Sequence, residues 1–552
     1  METVAGTTDV VRAISAIDIG VIIAYFVVIV VIGVYVARKV DTGEDLFLAG
    51  RSLTWGVIGF SLFASNISST TLIGLSGAAY SSGIAVSAYE WLSGAPLIVL
   101  AFIFIPLYLK SRITTVPEFL EKRFDWRSRK YFSAVTILLS ILIDTAGGLY
   151  AGAVVLKTFF PDLVIWQVCV ALGIFAGLYT AAGGLAAVVY TDVLQAVVLL
   201  FGTFLMTVLM FNGVDWSWAN VQAAVPNEQH LSMVRPMDDE LLPWPGIFTG
   251  VLLLGFWYWV TNQYIVQRVL GAKDLKNAQY GALLGGFLKI IPLFTMVLPG
   301  AMAIILIPDL PNADMVFPTL VTTVLPVGVT GLVLAGLIAA IMSSVDSTLN
   351  SSSTLIVHDF IMPRKPNITP QQIGRYGKIT TIVLMVFAIL WAPQIANFGG
   401  LWEYLQQAFA IFVPAIATIF LVGAFWKRAN ADGAFWALVI GNIAGLILLV
   451  GRLSGWWPVH FTLDVGILFA FSAAVMVGVS LATEAPDARK VANTTWSPDL
   501  LSDPELVDSD GVGGVQVNAD GTAVADTPWY SSVAGLAVML GAAMLLVLIA
   551  FW

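Results

Sequence analysis

The stretch AAIMSSVDSTLNSSS at 339–353 places seven hydroxyl side chains, one Asn and one Asp directly after the apolar run GVTGLVLAGLI. Positions three and four apart share a helix face. Ala340, Ser343, Ser344 and Ser347 therefore form one cluster, with Asp346 three residues beyond Ser343. A hard cation such as sodium leaves water only where several oxygens replace its hydration shell. Hydroxyls and carbonyls released at a broken helix are oxygens of that kind. A second polar segment, FSLFASNISSTTLIGLSGAAY at 60–80, offers such a break near Ala64 and Ile67. The competing structural role is Ser and Thr bonding back to their own helix carbonyls or joining helices.

Four more ionisable residues fall within apolar stretches: Glu90, Asp144, Asp192 and Lys289. Such groups are costly in a membrane and usually functional. Glu90 sits in SAYEWLSG between Tyr89 and Trp91, with Ser93 following. GFWYWVTNQ at 255–263 packs Trp257, Tyr258 and Trp259 before Asn262 and Gln263. Lys289 lies in GFLKIIPLF and Gln406 in YLQQAF. Sugar recognition needs this mixture. Carboxylates, amides and an ammonium meet hydroxyl edges, and aromatic faces meet the apolar side of the ring. A membrane-interface belt is the other reading of the aromatics, and a structural ion pair is the other reading of Glu90 with Lys289.

The elements that must hold these groups are membrane helices. Of 552 residues, 58% are hydrophobic and 11% charged, against about a quarter charged in soluble domains. A spanning helix needs about 20 mostly apolar residues. Fourteen candidates are centred near residues 26, 66, 98, 145, 173, 200, 256, 292, 338, 384, 413, 441, 472 and 541. With both termini outside, the cytoplasmic loops hold 21 of the 26 Lys and Arg, seven of them in LKSRITTVPEFLEKRFDWRSRK. That bias agrees with the positive-inside rule and with an even number of spans.

Cys169 is the only cysteine, so no intrachain disulfide is available. No basic run points to nucleic acid, and the N-terminus carries no A-x-A-type cleavage site. The three histidines, His230, His358 and His460, are scattered, and no nucleophile triad, metal cluster or phosphate loop appears, which argues against an enzyme. The fragment DSDGVGG at 508–514 has incomplete calcium-loop spacing.

The second and seventh candidate spans both carry polar residues and glycines at mid-membrane, five helices apart. Broken helices at matching places in two halves point to an inverted-repeat transporter, although small residues at packing seams would give a similar pattern. The expected organisation is an N-terminal segment and first helix over 1–50, a first repeat over 51–212 and an outside loop over 213–243. A second repeat follows over 244–428, then peripheral helices over 429–483. A flexible acidic cytoplasmic linker over 484–528 precedes a last helix over 529–552.

Nine ordered stretches resemble the sodium/solute symporter family, and within it the sodium/glucose and sodium/galactose cotransporters. They are NIS and IGLSG near 66–77, YEW at 89–91, VPEFLEKRF at 116–124, GGLAAVVYTDVLQ at 183–195, LPWPG at 242–246, WYWVTNQYIVQR at 257–268, FLKIIPLF at 287–294, SSVDSTLNSSSTL at 343–355 and GAFWKR at 423–428. The resemblance implies an all-α integral membrane protein with a LeuT-type 5+5 inverted-repeat core, one helix before it and three after. It implies multi-pass insertion in the cell membrane and function as a monomer. The activity it implies is sodium-coupled uptake of a sugar by alternating access, another polar solute or a binding-only sensor being the alternatives.

Carried over residue by residue, the sugar contacts fall on Glu90, Ser93, Lys289 and Gln406. Tyr89, Asn262 and Thr71 stand beside them. The inner-gate tyrosine falls on Tyr258, held by Asn66 and flanked by Trp259. The main sodium site falls on the carbonyls of Ala64, Ile67 and Ala340 and the hydroxyls of Ser343 and Ser344. A second sodium site would use Asp192, Ser343, Asp346 and Ser347. Four positions depart from the relatives. Thr71 stands in place of Gln or His, Gly255 in place of Asn or Thr, Asp346 in place of a hydroxyl, and Asp144 in place of Asn or Lys.

Overall fold

The computed structural model describes residues 14–37, 51–159, 162–180, 185–308, 310, 312–365, 367–397, 401–502, 506 and 529–552. Helices account for the regular structure, with no strand among the described residues beyond two isolated bridges. A bilayer leaves no water for exposed backbone groups, so long apolar segments satisfy them internally as helices.

Eleven described helices are long and apolar enough to cross a membrane, or twelve if the bent pair Trp55–Asn66 and Thr70–Ser82 is one span. The expected centres near 26 and 173 fall on the helices Ala16–Ala37 and Ile165–Thr180, whose described apolar stretches are shorter.

The two expected breaks take different forms. In the first, the chain bends by 57° around Ile67 and Ser68. Ser68 donates its N–H to Asn66 O at 2.8 Å, and Thr71 donates its N–H to Ser68 Oγ at 3.3 Å. These are the donors that would otherwise reach the carbonyls of Ala64 and Ile67 four residues back. The hydroxyl of Thr71 also turns back, donating to Asn66 O at 2.6 Å. In the second, the helix runs unbroken past Gly255 and passes through a π-helical turn at Trp257–Thr261. It breaks only at Asn262, where the backbone becomes extended. The sequence marks this interruption by Gly255 and the polar-aromatic run after it; the break falls at Asn262, near the end of that run, and the helix continues through the π turn up to it.

The serine-rich helix Val329–Leu355 is held at its start by a carboxylate from the first helix. Asp18 Oδ1 accepts from Gly328 N at 2.7 Å and Gly331 N at 2.9 Å, which satisfies donors that a helix N-terminus leaves unpaired. The C-terminal end of Leu401–Phe425 is held by Arg123. Its guanidinium donates to the carbonyls of Gly423, Trp426 and Ala429 at 2.9–3.0 Å, and burial pulls its pKa down to about 10.

The first part of the segment expected to be a flexible linker is structured. The helix Ala488–Thr494 follows the span Phe461–Ala482. Lys490 donates to Phe124 O at 3.2 Å, and the Trp496 indole donates to Phe102 O at 3.0 Å. Acidity suggested a solvated tether, but one lysine and one tryptophan tie the chain back onto the bundle. Residues 503–505 and 507–528 of that segment lie outside the described residues.

The last helix, Val533–Ala550, lies against glycines. A Cβ on Gly94 would meet Met544 Sδ at 2.6 Å, and one on Gly286 would meet Leu540 Cδ2 at 2.5 Å.

Candidate functional site

A cavity of about 110 Å³ lies at the first break and brings together residues from six stretches of the chain, Asp144 and Gly148 among them. Asn66 and Thr71 come from the two sides of the break. Tyr89, Glu90 and Ser93 come from the short helical turns before Gly94–Val99. Tyr258 and Trp259 come from the π turn, Ser344 and Ser347 from the serine-rich helix, and Gln406 from the helix Leu401–Phe425. Ten of the expected site residues therefore share one chamber.

Glu90 and Lys289 form an ion pair through Glu90 Oε2, and the same ammonium bonds Asn66 Oδ1. Lys289 is fully buried and Glu90 is 2% exposed. Lys289 reaches the cavity wall from behind, through Glu90 and Asn66, with its ammonium 5.7 Å from the centre of the Trp259 ring. Such a pair holds both charges in place at membrane depth, where either alone would be expensive. Tyr258 bonds the Asn66 side chain and accepts a hydrogen bond from Tyr264 at 2.8 Å. Asn66 thus joins the ion pair to the tyrosine beside the break.

Aromatic rings close the chamber. Tyr89 meets Trp402 edge to face with ring centres 5.2 Å apart. Both rings also line a larger chamber of about 880 Å³ that reaches Asp239, Asp314 and His460. The polar floor and aromatic walls suit a neutral polyhydroxyl molecule, which needs hydrogen-bonding groups at its edges and a flat apolar contact at its face.

Several expected contacts lie elsewhere. Asn262 is buried at the second break and does not line the cavity, and its two side-chain polar atoms have no hydrogen-bond partner among the described residues. The π turn ahead of it carries the aromatics into the chamber and leaves Asn262 below. Ser93 lines the cavity, but its hydroxyl donates to Tyr89 O at 2.9 Å. Gly255 contributes bare backbone to the wall, where a Cβ would meet only Pro96 Cγ at 3.4 Å.

Of the sodium-site residues, Ser344 and Ser347 line the cavity, whereas Ala64, Ile67, Ala340, Ser343, Asp192 and Asp346 do not. Asp192 is held by four groups. Arg268 donates to Oδ2 at 3.2 Å, Ser65 at 3.2 Å and Ser61 at 3.3 Å, while Ser343 donates to Oδ1 at 2.5 Å. Among the described residues no group of three or more His, Cys, Asp or Glu could hold a metal ion.

Sequence reasoning missed Arg268, Trp402, Phe409 and Tyr264. Trp402 stands four residues before Gln406, on the same helix face, and that spacing was a usable signal. Arg268 had none, because its partner Asp192 lies 76 residues away.

The sequence matches the profile of the sodium:solute symporter family over residues 46–441. It is 33% identical to sodium/glucose cotransporter 4 of Danio rerio over 533 residues, covering 87% of this chain and 81% of that protein. It is 34% identical to human sodium/myo-inositol cotransporter 2, covering 87% of this chain and 78% of that one. In fold it is similar to a Na+-coupled sialic acid symporter solved substrate-bound and outward-open, with a TM-score of 0.74 and 24% identity over 86% of this chain and 99% of that one. A second solved structure, a nucleobase-cation-symport-1 family transporter in a closed conformation, has a TM-score of 0.53 at 16% identity, over 82% and 99% of the two chains. The chain is a multi-pass membrane protein of the sodium:solute symporter family, a sodium-coupled solute symporter.

Proposed function

We propose that this protein carries a sugar, or a polyol of similar size and polarity, across the cell membrane together with sodium. The observation that supports this most is the buried Glu90–Lys289–Asn66 cluster, set beside Gln406 and a wall of Tyr89, Trp259 and Trp402. Glucose and myo-inositol, named for the relatives above, share the ring of hydroxyls that such a wall would read.

In this reading the main sodium ion binds at the first break. The carbonyls of Ala64, Ile67 and Ala340 and the hydroxyls of Ser343 and Ser344 hold it. The redirected donors around Ile67 support that assignment, since Ser68 N and Thr71 N bond elsewhere and do not take up the carbonyls of Ala64 and Ile67. The chain would have fourteen spans, a 5+5 inverted-repeat core and both termini outside, a reading supported by the bias of Lys and Arg toward one set of loops. It would work as a monomer. Sodium and sugar would favour the same outward-open form, so each raises the other's affinity by the same factor. Rocking of the core then releases both inside.

The test is uptake of radiolabelled hexoses and myo-inositol into proteoliposomes, with and without an inward sodium gradient. Sodium-driven accumulation of one of them is the expected result. If none moves under any gradient, the sugar reading is wrong and the short side chains at Thr71 and Gly255 have changed the substrate class.

A further inference from the structure

Two carboxylates line the central cavity, and the protein compensates one of them. Glu90 has Lys289 behind it. Asp144 has no such partner, and among the described residues no Lys, Arg or His lines the chamber. Asp144 lies in the π-helical turn Ser140–Thr145, and its Oδ2 is buried with no hydrogen-bond partner among the described residues.

The hydroxyls around it spend their protons elsewhere. The charge of Asp144 acts on Tyr264 and Tyr404. Tyr264 donates to the Tyr258 hydroxyl at 2.8 Å, and Tyr404 donates to Leu142 O at 2.8 Å. The adjacent Thr145 donates to Ser140 O at 2.7 Å. A buried carboxylate oxygen left in this way is expensive at membrane depth. A hydroxyl entering the cavity would bring it a hydrogen bond without a countercharge, whereas an ammonium brings both. An ammonium also needs only one free acceptor oxygen, which Oδ2 is, where a bare metal ion needs a shell of several.

The neighbouring chamber has the same sign of charge. Tyr89 and Trp402 line both the central cavity and the chamber of about 880 Å³. Five acids line that chamber, Asp238, Asp239, Glu240, Asp314 and Glu403, and of these only Asp239 is in an ion pair among the described residues, 3.5 Å from Arg235. The one arginine of the lining, Arg452, is already paired with Asp464. Walls of one sign raise the local concentration of ions of the other.

We propose that Asp144 is a specificity-determining residue, and that it selects a solute carrying an ammonium group: an amino sugar or an amino polyol. Glu90 and Gln406 read the hydroxyls of such a solute, and Asp144 holds its ammonium. The assignment rests on the sugar reading of this chamber and narrows it.

The test is equilibrium binding of radiolabelled glucosamine, glucose and N-acetylglucosamine to the purified full chain in saturating sodium, at a slightly acid pH where the amine is protonated. The wild type should hold glucosamine at least about tenfold tighter than glucose, on the scale of one hydrogen bond to a charged group. N-acetylglucosamine keeps the nitrogen and loses the charge, and it should bind no tighter than glucose. In Asp144→Asn the ratio of glucosamine to glucose affinity should fall to near unity. Gel filtration checks that this variant is folded; if it is not, the two wild-type comparisons decide alone. Equal wild-type affinities for glucosamine and glucose, N-acetylglucosamine bound as tightly as glucosamine, or an undiminished ratio in the folded variant would overturn the proposal. Glucose bound without any preference for glucosamine would reject this assignment and keep the sugar reading. Binding of none of the three would reject the sugar reading and this assignment with it.

Discussion

Two buried ion pairs lie close to the first helix break, and they are built differently. Asp192 and Arg268 are each 1% exposed, and hydroxyls of Ser61, Ser65 and Ser343 fill the remaining acceptor positions of the carboxylate. Glu90 and Lys289 are as deeply buried, yet Glu90 faces a cavity and gives Lys289 only its Oε2. The first pair is saturated and the second has capacity left. At equal burial, spare hydrogen-bonding capacity beside a cavity is what the proposed ligand-recognising role of Glu90 requires and what the Asp192–Arg268 pair lacks.

The comparison is broken most severely through Arg268. Arg268→Met should leave Asp192 buried and charged without its cation, at a cost of about 3–5 kcal/mol. Thermal unfolding in detergent should show it, and the double variant Asp192→Asn/Arg268→Met should recover much of the loss. A single variant as stable as the wild type would mean that the pair is not structural.

Glu90→Gln comes next. It should weaken sugar binding about a hundredfold, in line with the 2–5 kcal/mol lost when one partner of a buried, hydrogen-bonded charge pair is removed. Sodium binding should remain. Equal loss of both, measured by isotope binding, would make Glu90 a structural residue like Asp192.

Ser344→Ala sharpens the same contrast on the cation side. Removing one neutral oxygen should raise the sodium concentration needed for half-maximal uptake by about tenfold, on the scale of one hydrogen bond to a charged group. Unchanged sodium dependence would remove Ser344 from the site.

The smallest effect is expected outside the membrane, at His230. Burial first, and the nearby Arg235 second, push its pKa down to about 4. It is therefore neutral when docked and gains a proton on release. Docking of the loop 213–243 should be fully present above pH 6.5, the unfolded value, and should weaken as the pH falls from there toward 4. Limited proteolysis of that loop should accelerate over this window in the wild type and stay flat in His230→Gln.

Much of the site could be read from the sequence because polar residues in apolar stretches are conspicuous. Asn66, Glu90, Tyr258, Ser344 and Gln406 stand out in this way, and they line one cavity. Three features could not be read. The second span's polar-aromatic run does not say at which residue the helix ends, since the π turn before Asn262 leaves no trace in the apolar pattern. The Asp192–Arg268 pair joins distant positions, and Arg268 reads locally as a charge at the end of a span. The docked segment after residue 484 looks like solvated chain by composition, and two side chains decide its placement.

The last helix can be seen as a lipid the protein carries with it. Gly94 and Gly286 leave grooves that Met544 and Leu540 fill, while Val538, Leu545, Leu546 and Ile549 face outward and are 61–69% exposed. Hydrocarbon is no less apolar than leucine, so between its ends this helix is held by shape, while Tyr280 donates to Ser531 O at 2.7 Å and Met233 N to Phe551 O at 2.8 Å just beyond them. Its outer face can change freely among apolar residues, but a larger side chain at either glycine would push it off this face and leave it held at its ends.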